Sequence, residues 1–72
     1  MNSLYPNLDI EMAKKNMHYR DLAKKVGISE LAMYRRMVGA TKWSLHEAIK
    51  ISWLLNGMDI YKLFEKKSEG GN

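Results

Sequence analysis

The residues able to do chemistry are few, and their types narrow what that chemistry is. The chain of 72 residues has no cysteine and two histidines, His18 and His46. Without thiols there is neither a disulfide framework nor a thiolate metal site. Two histidines alone are too few for a metal centre, so no metal and no cofactor are expected. No nucleophile stands with a base in a recognisable pattern, and no glycine-rich stretch cradles a phosphate, so no catalysis and no small-molecule substrate are expected. What remains is charge. Residues 14–42 hold eight basic side chains (Lys14, Lys15, Arg20, Lys24, Lys25, Arg35, Arg36 and Lys42) against two acids, Asp21 and Glu30, a local +6. The other residues, with six acids and four bases, carry −2, within a total of +4. A basic middle suits a polyanion. A solvated lysine-rich face is the alternative that charge by itself leaves open.

Something must position those cations. A chain of 72 residues makes one domain, which buries only ~60% of the surface it exposes unfolded. With 46% hydrophobic and 28% charged residues it has enough apolar material for one core. Apolar runs such as Trp53-Leu54-Leu55 fall far short of the ~20 residues of a membrane span. Met1 to Pro6 lacks the basic-then-apolar order of a signal peptide. No membrane partner is expected, and a cytoplasmic location follows.

No stretch alternates apolar and polar residues as a strand does, whereas helix punctuation recurs. Asn7 caps a first helix over about 8–15, with Leu8 and Met12 inward and Asn16 as the left-handed stop. A second helix covers about 19–26, with Leu22, Ala23 and Val26 inward and Gly27 ending it. Ser29 caps a third over about 30–38, with Met33 and Met37 inward and Gly39 ending it. Ser44 and Glu47 form a capping box that opens a fourth helix reaching about Asn56. Asp59 caps a fifth through about Lys66, with Leu63 and Phe64 on the core. The expected fold is all-α: a compact bundle of about five short helices. Residues 1–72 form a single domain with a core over 8–64, and 67–72 form a flexible tail. Only about three residues separate the second and third helices, which forces a large crossing angle. That makes 19–38 a helix-turn-helix.

The stretch Leu22-Ala23-Lys24-Lys25-Val26-Gly27-Ile28-Ser29 resembles the Cro/repressor family of phage-type helix-turn-helix regulators, whose fold is the lambda-repressor-like DNA-binding domain. Each residue type has a task. Ala23 is small where the third helix passes, Gly27 supplies the positive φ of the turn, Ile28 plugs the core, and Ser29 caps the next helix. The likeness extends over residues 8–64, through Met33-Tyr34-Arg35-Arg36-Met37-Val38-Gly39 and Trp43-Ser44-Leu45-His46-Glu47-Ala48. The chain departs from the family at His18, where threonine or serine is usual, at Tyr19, often glutamine, and at Val38, commonly asparagine.

The resemblance implies sequence-specific binding of double-stranded DNA by a phage or mobile-element repressor, with the third helix in the major groove. Helical periodicity turns Glu30, Leu31, Tyr34, Arg35 and Val38 away from Met33 and Met37. Glu30, Leu31, Tyr34 and Arg35 are the expected base contacts: Arg35 suits guanine, Glu30 a cytosine amino group and Leu31 a thymine methyl. Glu30 has a second reading, helix-dipole stabilisation. Tyr19, Arg36, Thr41, Lys42 and Trp43 are the expected backbone contacts, with Trp43 read preferentially as a loop residue closing the core. Ile49 and Trp53 form a partly outward stripe on the fourth helix. The fifth helix covers it, or it mediates a weak homodimer that pairs on DNA; the pattern leaves both open. A protein-interaction module on the same scaffold, such as an antirepressor, is the rival reading. The positive charge around the motif favours DNA.

Overall fold

Proline decides where the chain first turns helical. In a computed structural model that describes residues 3–67, Pro6 stands in the first turn of α1, Pro6–Lys14. A first-turn amide has no partner within the helix, so proline's missing N–H costs nothing there. The helix therefore begins ahead of the expected residue 8, and Asn7 is not its cap. Asn7 lies in that first turn, and its side-chain amide donates to the Lys62 carbonyl at 2.8 Å. Asn16, at φ 54°, is left-handed just past the end of α1, as its place in the sequence predicted.

The remaining helices are α2, Tyr19–Val26; α3, Glu30–Met37; α4, Leu45–Leu54; and α5, Ile60–Leu63. Among the described residues there is no strand, and the all-helical expectation stands. The α2–α3 joint is built as its sequence predicts. Gly27 sits at φ 92°, and its N–H donates to the Ala23 carbonyl at 2.8 Å. Ile28 donates to the same carbonyl at 3.0 Å, which reverses the chain within one turn. The Ser29 hydroxyl then accepts the Ala32 N–H at 3.0 Å and opens α3. Ala23 is buried where the two helices meet. Among the helices, only α2 comes close to the α3 backbone.

Every helix contributes to one core: Leu8 and Met12, Leu22 and Val26, Met33 and Met37, Ile51, and Leu63 are buried together, with Leu55 at the end of α4. α5 is shorter than expected and stops at Leu63 rather than near Lys66. Beyond Phe64 the chain leaves the helix and meets the N-terminal segment, where the Lys67 N–H donates to the Leu4 carbonyl at 2.8 Å. The Leu4 N–H in turn donates to the Met37 carbonyl at 2.8 Å, satisfying an orphan acceptor at the end of α3. Tyr5 is buried, edge-on to Phe64 with ring centroids 5.8 Å apart. The core thus starts at Tyr5, ahead of residue 8. Gly39 follows α3 at φ 86°, a left-handed conformation that favours glycine. Of the tail expected over 67–72, Lys67 is tied to Leu4, and 68–72 lie outside the described residues. Among the described residues no helix is long and apolar enough to cross a membrane.

Candidate nucleic-acid interface

α3 has two sides with opposite duties. Met33 and Met37 are fully buried and fix its rotation. The 100° step per residue then turns Glu30, Leu31, Tyr34 and Arg35 outward, and all of them are exposed, Leu31 at 59% and Tyr34 at 45%. Val38, which the same period sends outward, is half-buried as the residue closing the helix. Glu30 stands in the first turn, where a carboxylate complements the helix dipole. An open cleft of about 630 Å³ runs beside Glu30, lined among others by Asp9, His18, Tyr19 and Arg20.

The segment after α3 folds back on it. The Ala40 and Thr41 amides both donate to the Arg35 carbonyl, at 2.9 and 3.3 Å. Thr41 and Lys42 are exposed at the end of the helix. Arg35 therefore presents its side chain to solvent while its carbonyl holds the start of the loop.

Three of the residues expected on phosphates have their polar groups engaged or enclosed within the chain. Arg36 forms a fork with Glu47: Nε donates to Oε1 and Nη2 to Oε2, both at 3.0 Å. Trp43 is half-buried, with its ring 5.6 Å from that of Phe64 and 5.7 Å from the Arg36 guanidinium. The indole N–H is buried and has no hydrogen-bond partner among the described residues. Those surroundings agree with a loop residue that closes the core. Tyr19 is half-buried, and its hydroxyl donates to Asp9 Oδ1 at 2.7 Å, spending its single proton on α1. Burial first, and then the Asp9 hydrogen bond, push the Tyr19 hydroxyl pKa far upward.

Charge is also arranged at the helix starts. The Asp21 carboxylate accepts the His18 N–H at 2.9 Å, which holds that carboxyl below its ordinary value. In this way α2 is capped although His18 replaces the usual hydroxyl residue. At α4 the capping box is complete: Ser44 Oγ accepts the Glu47 N–H, and Glu47 Oε1 accepts the Ser44 N–H, both at 3.1 Å. Burial by itself raises the Glu47 pKa. The Ser44 amide and Arg36 outweigh it and hold the carboxyl below the usual value. Among the described residues no group of three or more His, Cys, Asp or Glu is placed to hold a metal ion.

Sequence reasoning missed the second duty of Glu47 and the whole part of Asp9. The capping-box signature identified Glu47, but no spacing rule connects it to Arg36 across a loop. Nothing in the sequence pairs Asp9 with Tyr19.

A second outward face lies on α4. Leu45, Ile49 and Trp53 recur every four residues and so share one side of the helix. Leu45 is 71% and Trp53 77% exposed, so α5 leaves Trp53 open.

The family model described as the Cro/C1-type HTH DNA-binding domain matches residues 7–57, most of the chain. No curated protein matches it.

Proposed function

The chain belongs to the Cro/C1-type helix-turn-helix DNA-binding domains, and we propose that it is a sequence-specific regulator of transcription, a repressor from a phage or mobile element. It acts in the cytoplasm on double-stranded DNA, without catalysis, cofactor or small-molecule substrate. One observation carries the reading. The outward face of α3 presents Glu30, Leu31, Tyr34 and Arg35, free of the core and beside the exposed Thr41 and Lys42.

In this reading α3 lies in the major groove, with its first turn leading, as recognition helices do. Arg35 donates two parallel hydrogen bonds to a guanine O6 and N7, and Glu30 accepts from a cytosine amino group. Leu31 covers a thymine methyl, and Tyr34 reaches a neighbouring base. Lys42 and Thr41 hold phosphate and fix the register without reading sequence. Of the other expected phosphate contacts, Tyr19, Arg36 and Trp43 act through the packing and hydrogen bonds that hold these residues in place.

One module covers only ~600–1,000 Å² of protein surface on DNA. A symmetric pair doubles the site, with half-sites about one helical turn apart. The stripe Leu45, Ile49 and Trp53 on α4 supports a weak contact between two copies, formed on DNA.

Titrations at several salt concentrations test the assignment. Arg35→Ala is expected to cost about 1–3 kcal/mol and to relax preference at one base pair. Lys42→Ala is expected to weaken binding to all duplexes alike and to lower the salt slope by about one. A uniform loss from Arg35→Ala with a base-specific loss from Lys42→Ala would reverse the two roles.

A further inference from the structure

Arg36 is next to Arg35 in the helix proposed to read bases, yet its charge is turned inward. Its Nε and Nη2 grip Glu47 at 3.0 Å each, and Nη1 reaches the Ala32 carbonyl one turn back at 3.3 Å. The guanidinium lies over the Trp43 ring at 5.7 Å. On the other side, the same carboxylate accepts the Ser44 N–H at 3.1 Å. One acid therefore joins the base-facing helix, the end of the loop and the first turn of α4. The two side chains keep only 20% and 16% of their surface exposed. A two-bonded fork of this kind fixes orientation as well as distance. Among the described residues no helix other than α2 approaches the α3 backbone, so the tie from α3 to α4 runs through side chains. The loop between them is anchored at its start by the Arg35 carbonyl and at its end by Glu47.

We propose that Glu47 is a positioning residue for DNA reading, and that Arg36 is a strut held by it rather than a phosphate ligand. The proposal rests on the DNA-binding reading of α3. Reading a base edge and holding a phosphate at once requires the two groups to stand in a fixed relation before DNA arrives. Otherwise binding must order them, which weakens the specific complex. Non-specific binding depends on cations near phosphates and makes no such demand.

Glu47→Gln separates the two ideas. Glutamine serves equally at the third position of a capping box, so α4 keeps its start. Only the charge and one acceptor of the fork are removed. The test uses two duplexes, one enriched by the unmodified protein from a random pool and a scrambled one, each titrated at several salt concentrations. Selectivity between them is expected to fall on the order of ten-fold, while affinity for the scrambled duplex and its salt slope stay unchanged. Arg36→Met, which keeps an apolar stem beside Trp43, is expected to give the same loss. The double variant is expected to lose no more than either single one, and Arg36→Met carries the test should Glu47→Gln not fold. If Arg36 were a phosphate ligand, Glu47→Gln would free it. Binding to both duplexes would then strengthen with a salt slope steeper by about one, and the proposal would be overturned. Selectivity kept in both single variants also overturns it, and leaves the DNA reading intact. No selectivity in the unmodified protein removes the DNA reading and the proposal together.

Discussion

Two surfaces of this domain look outward, and they are made of different material. The outer side of α3 mixes Glu30 and Arg35 with Leu31 and Tyr34, flanked by Thr41 and Lys42. The outer side of α4 carries an apolar stripe, Leu45, Ile49 and Trp53, beside the exposed His46 and Lys50. Apolar side chains alone cannot discriminate base edges, which differ chiefly in donors and acceptors. Charged side chains alone make a poor contact between copies of one positively charged chain. The composition of each face thus suits a different partner, nucleic acid on one and a second copy on the other. The faces also differ in support. α3 is held by the buried Met33 and Met37, by Leu4 at its end and by the Glu47 fork. The α4 stripe needs only the helix beneath it, since Trp53 is left open among the described residues.

The largest expected effect strikes the support of the first face. Met37 is fully buried, and Met37→Ala should destabilise the fold by about 2–5 kcal/mol. Chemical denaturation would register this as a lower midpoint; an unchanged curve would mean that α3 is not anchored by that side chain. Trp53→Ala, on the second face, should leave stability within about 0.5 kcal/mol. Its expected effect is confined to binding: cooperativity on a duplex with two half-sites should vanish while affinity for one half-site persists. Equal loss on both duplexes would assign Trp53 to DNA rather than to a second copy.

Acid should divide the faces more gently. The Glu47 carboxyl titrates below its ordinary value in the folded chain, whereas an unfolded glutamate titrates near about 4.3. A depressed folded pKa gives stability that is present above the unfolded value and is lost as pH falls through the folded one. The unmodified protein should therefore lose more stability than Glu47→Gln between neutral pH and about pH 3. Parallel losses in the two proteins would show that the charge of Glu47, shared between the Ser44 amide and Arg36, contributes nothing to folding. Trp53→Ala, which carries no charge, should follow the unmodified protein throughout.

Much of this arrangement could be read from local chemistry. Gly27, Ile28 and Ser29 announce the α2–α3 joint because each acts within a few residues of itself. Met33 and Met37 announce the buried side of α3 through helical period, and the exposed side follows from them. Ser44 and Glu47 mark the start of α4 for the same reason. What the sequence concealed was contact between distant segments. Leu4 and Tyr5 read as an unremarked end, yet they close the core because Lys67 and Met37 meet them there. The sequence extends α5 too far because its capping residue marks a beginning and no residue marks an end; beyond Phe64 the chain returns to Leu4. The sequence marks Arg36 and Tyr19 as phosphate contacts by their place around the motif and does not show the hydrogen bonds they make within the chain. Their partners, Glu47 and Asp9, lie in other helices, where periodicity cannot reach.

The outer face of α3 is proposed to read base edges. Selection of bound duplexes from a random pool, run in parallel with the unmodified protein and Arg35→Ala, tests it most directly. The unmodified protein should enrich a two-fold symmetric site with half-sites about one helical turn apart. Arg35→Ala should enrich the same site with preference relaxed at one base pair of each half. An identical site enriched by both proteins, or no enrichment by the unmodified one, would mean that this face does not read bases through Arg35.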